Sequence, residues 1–344
     1  MNKKMFAIAA VAILIVVTIA AGVSLSGGPG NSGNSEYGDV NIFDINGNPV
    51  TFDKPVERVV VYSKYVAEAM IVMGASDRVV GTTSTVLKDS NYKSYYANAT
   101  DIGTSPTKGM DVVLTLGADV IISHNTEDNS QLANLGIPVL IIGASKIGEV
   151  IPDIKVLGQI LGMKQEAQKI IDWFEPMYKA VSEYNASAND RSNVKFALES
   201  HSKTKLTFSN PTSTPGALLE AVGGYNVFQT TSSTYSYPEG GTLIELNPDV
   251  ILVVTYNADW NDGALDTYLK QVYAREGWDN INAIKDKDVY MVSNDIVGGI
   301  RSIICAMFIL SFIDDEYSDV DVSELVNEYN ALGGTSFNNK MVYS

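Results

Sequence analysis

The sequence predicts an α/β protein of two lobes, each a mostly parallel sheet flanked by helices, with one long helix bridging them. Three observations predict this. Short apolar runs of strand length alternate with helical patterns along most of the chain, the order that builds βαβ units and parallel sheets. The alternation is interrupted once, by helical periodicity over residues 151–184. The segments on either side of that interruption echo each other. Gly74-Ala75-Ser76-Asp77-Arg78-Val79-Val80 resembles Gly223-Gly224-Tyr225-Asn226-Val227-Phe228, and Thr115-Leu116-Gly117-Ala118-Asp119-Val120-Ile121-Ile122 resembles Glu245-Leu246-Asn247-Pro248-Asp249-Val250-Ile251-Leu252. The spacings are unequal, which excludes a solenoid repeat.

In chain order, Lys3 and Lys4 precede an uncharged run over residues 5–25. At 1.5 Å per residue such a run crosses a hydrocarbon core of about 30 Å. Its length fits a permanent anchor better than a signal-peptide apolar region, which is usually about 7–15 residues. Thr18-Ile19-Ala20-Ala21-Gly22 still offers small residues for cleavage. In both cases the positive flank keeps the N-terminus in the cytoplasm and exports the rest. Residues 1–25 are therefore read as cytoplasmic stub and membrane anchor. Residues 26–40, rich in Gly, Ser and Asn, are read as a flexible linker.

The first lobe is assigned to residues 41–150. Asn46-Gly47 marks a hairpin turn between Ile42-Phe43 and Val50 with Phe52. Strands are expected at 58–62, 78–81, 119–123 and 138–142, and helices at 65–73, 110–116 and 131–135, with Gly74 and Gly136 closing two of them. The linking helix takes residues 151–190. Its apolar positions Ile154, Leu157, Ile160, Leu161, Ile170, Ile171, Phe174 and Met177 recur at helical spacing, with Gly162 and Pro176 as points of break or kink. The second lobe takes residues 191–313, with strands at 194–198, 226–229, 249–255 and 288–292 and helices at 215–222, 243–246 and 300–313. Residues 314–344 read as an acidic tail.

The chain of 344 residues carries 24 Lys and Arg against 40 Asp and Glu, a net charge of −16. A nucleic-acid partner needs a basic footprint and is excluded. The single cysteine, Cys305, lies in an apolar run and reads as a buried small hydrophobe, so neither an internal disulfide nor a cysteine metal cluster is available. No Gly-x-Ser-x-Gly elbow and no His-Glu-x-x-His motif occurs. With two histidines in all, the inventory for chemistry is short. Asn98-Ala99-Thr100 and Asn185-Ala186-Ser187 match glycosylation acceptors, triplets that recur often by chance.

The segments over 41–81, 110–142, the helix after Ile151 and 217–293, with the glycine and Asn-Pro-Asp motifs quoted above, resemble the helical-backbone class of ABC-importer binding proteins. That class serves iron–siderophore, haem and cobalamin uptake. The resemblance implies two lobes bridged by a rigid helix, small hinge motion, no catalysis, no intrinsic cofactor, a metal-chelate ligand, and a permease with its ATPase as partners. A monomer is expected. A cell-surface sensor or adhesin on the same fold, and an exported hydrolase, are the competing readings.

Ligands of open α/β sheets sit outside the carboxyl ends of strands, which selects the candidate binding residues. Tyr62, Ser63, Lys64 and Tyr65 follow the first strand, and Ser63 is also placed to cap the next helix. His124 and His201 follow strands in the two lobes, and imidazole is a common ligand for metals and haem. Tyr92, Tyr95 and Tyr96 cluster in one loop, of which Tyr95 is selected. Tyr235 and Tyr237 form another cluster, of which Tyr237 is selected, and Tyr256 and Trp260 follow the strand at 249–255. Aromatic residues on cleft loops give large contact area with a polar handle. Arg301 heads the last apolar helix, where the resemblance implies a residue facing an anionic ligand. The resemblance also implies one acidic docking residue per lobe for the permease. Asp111 matches in the first lobe, and Glu239 is the nearest acid to the match at Gly240-Gly241 in the second. A helix-start role competes for Asp111.

Overall fold

The computed structural model describes residues 40–344 except 107–108, 125–128, 144, 188–193, 202–204, 237, 257–259 and 339. The expected membrane span at 5–25 and the linker up to residue 39 lie outside the described residues. Among those described, no helix is long and apolar enough to cross a membrane.

The first sheet is built from β1 (Val59–Val61), β2 (Val79–Thr82), β3 (Thr100–Asp101), β4 (Val120–Ser123) and β5 (Val139–Ile141). All its pairings are parallel, in the order β3-β2-β1-β4-β5. The crossovers carry α1 (Lys64–Val72), α2 (Ser84–Lys88), α3 (Met110–Thr115) and α4 (Asn129–Leu132). The central strands β1 and β4 are short, fully buried β-branched runs, which suit a sheet covered on both faces. The hairpin at Asn46-Gly47 forms its turn, with Gly47 at φ 79°, but its arms meet only at a single bridge between Phe43 and Pro49.

The linking segment is two helices, not one. α5 (Val150–Ile160) ends and α6 (Lys164–Ser187) begins across Gly162. Gly162 sits at φ 66°, and the Met163 amide reaches back to the Gly158 carbonyl at 2.8 Å. This is the Schellman arrangement that stops a helix at glycine. A Cβ at Gly162 would also lie 2.8 Å from the Pro55 ring. Pro176, the second suspected break, is carried inside α6 without interrupting it. The 24 residues of α6 make a rod of about 36 Å.

The second sheet combines β6 (Lys195–Ser200), β7 (Phe208–Ser209), β8 (Tyr225–Asn226), β9 (Tyr235–Ser236), β10 (Val250–Thr255), β11 (Val289–Ser293) and β12 (Val342–Tyr343). Its order is β12-β11-β10-β6-β7-β9, with β8 also on β6. The β6, β8, β10 and β11 pairings are parallel, and β7, β9 and β12 join antiparallel. The helices are α7 (Thr214–Ala221), α8 (Gly240–Leu246), α9 (Asp262–Tyr273), α10 (Asn282–Lys285), α11 (Ser302–Ile313) and α12 (Val322–Gly333). The stretch expected as an acidic tail thus supplies α12 and the edge strand β12. The expectation failed because most acids of that stretch occupy exposed positions while Val326 and Tyr329 are buried.

Strand alternation divides the core into three. Val59 and Val61 of β1 and Val250, Leu252 and Val254 of β10 face one shared core with α1, α5, α6 and α11. Val60 and Ile121 turn to a separate core in the first lobe, and Ile251 and Val253 to another in the second. Cys305 is buried in the shared core, and burial pushes its thiol up to about 12. The two lobes therefore share one interior. The largest common layer belongs to neither alone.

Candidate functional site

The carboxyl ends of strands from both sheets meet across the junction of the lobes. α1 starts immediately after β1 because Ser63 caps it, accepting from the Val66 amide at 3.3 Å. The Ser63 hydroxyl also donates to the Gly143 carbonyl beyond β5, at 3.0 Å. Lys64, the next residue, reaches Asp295 of the other lobe, with Nζ to Oδ1 at 3.1 Å. Asp295 lies in the single 3-10 turn that follows β11. Tyr65 lies against Gly298 and Gly299, where a Cβ would stand 2.5 Å and 2.7 Å from its side chain. Only glycine permits this approach, and Gly299 also holds φ 74°. Tyr256, which follows β10 in the second lobe, is half exposed.

Beneath this surface is a buried polar network. The Glu68 carboxylate of α1 accepts from Nε and Nη2 of Arg301 at 2.8 and 2.6 Å. It also accepts from the hydroxyls of Tyr92 at 2.5 Å and Tyr329 at 2.6 Å. Asp295 joins at the edge, accepting from Asn91 at 2.9 Å and lying 3.8 Å from Arg301. Burial opposes the charge on Arg301, but the Glu68 carboxylate outweighs it and holds the guanidinium well above its ordinary value. For Lys64, burial likewise pulls down and the Asp295 charge pushes up, with the net shift upward. Burial, reinforced by the Glu68 charge, raises Tyr92 and Tyr329 well above the ordinary phenol value, so both hydroxyls act as donors.

The expected binding residues divide accordingly. Lys64 and Tyr65 lie at the junction against Asp295, Gly298 and Gly299, and Tyr256 is exposed just beyond the carboxyl end of β10. Tyr62 is buried on the outer face of the first sheet, its hydroxyl without a hydrogen-bond partner and its pKa pushed by burial to about 12. His124 follows β4 in a surface position beside Gly143 and is partly covered, so burial lowers its pKa. His201 packs edge-on against Tyr268, with ring centroids 4.1 Å apart. Among the described residues, no group of three or more His, Cys, Asp or Glu is arranged to hold a metal ion.

Arg301 is a correction. It is fully buried and bound to Glu68, so the place expected to face an anionic ligand is instead an internal brace. Trp260 donates Nε1 to the Lys340 carbonyl at 2.8 Å, which ties the loop after β10 to the C-terminal segment. Tyr95 is exposed, while its neighbours Tyr92 and Tyr96 are buried. Tyr237 lies outside the described residues. Asp111 in the first turn of α3 and Glu239 just before α8 are both exposed, and neither side chain caps its helix. A groove lined by Ile42, Phe43, Phe52, Pro55 and Gln159 lies at the hairpin and the end of α5, away from the strand ends.

The residues sequence reasoning missed are Glu68, Asn91, Asp295 and Tyr329. Glu68 did leave a signal: a lone charge inside Val66-Ala67-Glu68-Ala69-Met70-Ile71-Val72, an otherwise apolar helix face. Such a charge needs a buried partner of opposite sign.

The chain and its fold have relatives. An uncharacterized ABC transporter substrate-binding lipoprotein, YvrC, of Bacillus subtilis is 23% identical over 76% of this chain and 81% of its own length. A cobalamin-binding protein of Halobacterium salinarum is 24% identical over 61% of this chain and 57% of its own. Among solved structures, the TroA-like periplasmic binding protein FepB of Veillonella parvula superposes with a TM-score of 0.73 at 18% identity. It covers 89% of this chain and 99% of that one. Molybdate-bound MolA of Haemophilus influenzae gives 0.65 at 20% identity, covering 87% and 99%. The periplasmic binding protein family matches residues 59–295, which takes in the first sheet, the second sheet except β12, the linking helices and the stretch from β1 to Asp295. On that match and this architecture, the chain belongs to the periplasmic binding protein family.

Proposed function

We propose that this protein is the extracytoplasmic substrate-binding component of an ABC importer. In this reading it takes a metal chelate of the ferric siderophore, haem or cobalamin class into the junction between its lobes and delivers it to a permease and its ATPase. The observation that carries the reading is the meeting of Lys64 and Tyr65 from one lobe with Asp295, Gly298 and Gly299 from the other, outside the carboxyl ends of their strands. Tyr65 and Tyr256 offer aromatic contact, and His124 offers a neutral imidazole to the chelate's face or metal. Exposed Asp111 and Glu239 suit docking on a cationic permease surface. Residues 1–25 tether the protein to the membrane. The names of the relatives, a substrate-binding lipoprotein and a cobalamin-binding protein, support the same reading.

Its test is titration of the full-length protein with a ferric siderophore, haemin and cyanocobalamin while tryptophan fluorescence is followed. A saturable change with one of them is expected, weakened about tenfold by Tyr256→Ala. Silence toward all three sinks the proposal.

A further inference from the structure

The family relatives named above take ligands of opposite electrostatic kinds. One is described as binding a corrinoid, and another holds a small oxyanion. The charges at the junction discriminate between these classes. An oxyanion needs donors or cations that no protein carboxylate already occupies. Three cations held largely out of solvent, Lys64, Arg275 and Arg301, each have a carboxylate partner: Asp295, Glu199 and Glu68 respectively. Arg301 and Arg275 are held through paired contacts to one carboxylate each, and Arg301 has no exposed surface. Of the two cations paired across the lobes, Lys64 and Arg301, only Lys64 has exposed surface, 22% of its side chain. Of that pair it is the one an anion entering the junction could reach, and Asp295, almost fully buried behind it, already neutralises it.

Asp295 is itself fixed. Asn91 donates to its Oδ2, its own amide donates to the Ser293 hydroxyl, and Arg301 stands 3.8 Å away. Lys64 and Arg301 against Glu68 and Asp295 sum to zero charge. A small oxyanion placed at Lys64 would also face the Asp295 carboxylate, whose like charge offsets the attraction of the ammonium. A neutral ligand with a flat apolar surface suffers no such opposition and gains the faces of Tyr65 and Tyr256.

We infer that Asp295 sets the charge class of the ligand, holding Lys64 so that small oxyanions are excluded and a neutral, flat-faced molecule is admitted. This inference rests on the proposed binding function of the same junction. The test is isothermal titration of the full-length protein with sodium molybdate, run on the wild type, Asp295→Asn and Asp295→Asn/Lys64→Gln. No binding by the wild type, a gain of at least about tenfold in Asp295→Asn, and loss of that gain in the double variant are expected. Asp295→Ser serves the same comparison should the Asn variant fail to fold, as judged by its melting curve. Wild-type molybdate binding overturns the inference, and so does a folded Asp295 variant that gains nothing. Either result leaves the chelate titration to judge the binding function separately.

Discussion

Glu68 and Arg301 stand 233 positions apart in sequence and share a two-point ion pair in the interior, at 2.6 and 2.8 Å. One lies in the first helix of the first lobe, and the other heads the penultimate helix of the second. Breaking such a pair strands the surviving charge in a medium that cannot solvate it. Glu68→Gln and Arg301→Met are each expected to destabilise the protein by about 3–5 kcal/mol. The double variant should recover much of that loss, because both charges leave together. Urea denaturation of the four proteins measures the coupling, and additive losses would refute it.

Gly298→Ala tests the seating of Tyr65. The added Cβ would lie 2.5 Å from the Tyr65 hydroxyl oxygen and 2.6 Å from the ring carbon that bears it. The ring must move, and ligand affinity is expected to fall by about tenfold with only a small change in melting temperature. Truncation at Tyr65→Ala removes the clash, so adding Gly298→Ala to that variant should cause no further loss. An equal loss in both backgrounds would show that the glycine acts through something else.

Tyr62 carries a buried hydroxyl that satisfies nothing. An orphaned polar group of this kind costs about 1–3 kcal/mol. Tyr62→Phe is expected to leave the ligand-free protein as stable as the wild type, or more stable by up to about that amount. A chemical melt decides it, and a clear destabilisation would mean that the hydroxyl has a partner after all.

The pH dependence follows from groups buried in their neutral form. Burial lifts Cys305 from 9.0 to about 12 and Tyr62 from 10.0 to about 12. Tyr92 and Tyr329 are raised well above 10.0 by burial, and then by the Glu68 charge. A group raised in the folded state contributes stability that is complete below its unfolded value and lost as pH climbs through the folded one. Stability should therefore hold to about pH 9 and fall steeply from there toward pH 12. On the acid side, burial lowers His124 from 6.5, so its contribution is present above that value and disappears as pH falls through the lowered one. Denaturant midpoints across this range give the curve, and a flat alkaline limb would contradict the assignment.

Much of this was legible before the structure. β1, β4, β10 and β11 were readable because β-branched runs such as Val250-Ile251-Leu252-Val253-Val254 admit little else. Gly74 and Gly136 marked true helix ends for the same local reason, a left-handed backbone. The linking helix was expected as one element with Gly162 and Pro176 as points of break or kink; the positive φ at Gly162 makes the first a true helix end, while Pro176 is carried within α6. The candidate site was half legible. Strand-end position found Lys64, Tyr65 and Tyr256, since topology alone fixes that location. It could not find Asn91 or Tyr329, whose roles depend on partners far along the chain. It mistook Arg301 for a cleft residue because a charge at a helix head looks the same whether it faces ligand or Glu68. β12 and α12 were lost to composition: acids on one face hid the apolar residues on the other.

The Glu68 carboxylate takes donors from residues 24, 233 and 261 positions away. These contacts, with a core shared by both sheets, leave no plane along which the molecule divides into autonomous halves. Unfolding should then register in calorimetry as one cooperative event, with van't Hoff and calorimetric enthalpies in agreement. A chain severed between α6 and β6 would yield fragments that each expose half of the common core and carry an unmatched buried charge. Reassembly of the mixed fragments, rather than expression of either alone, would be the way to recover a folded protein. Evolution acting on this architecture can exchange strand-end loops freely, but it must change the two lobes' inner faces in concert.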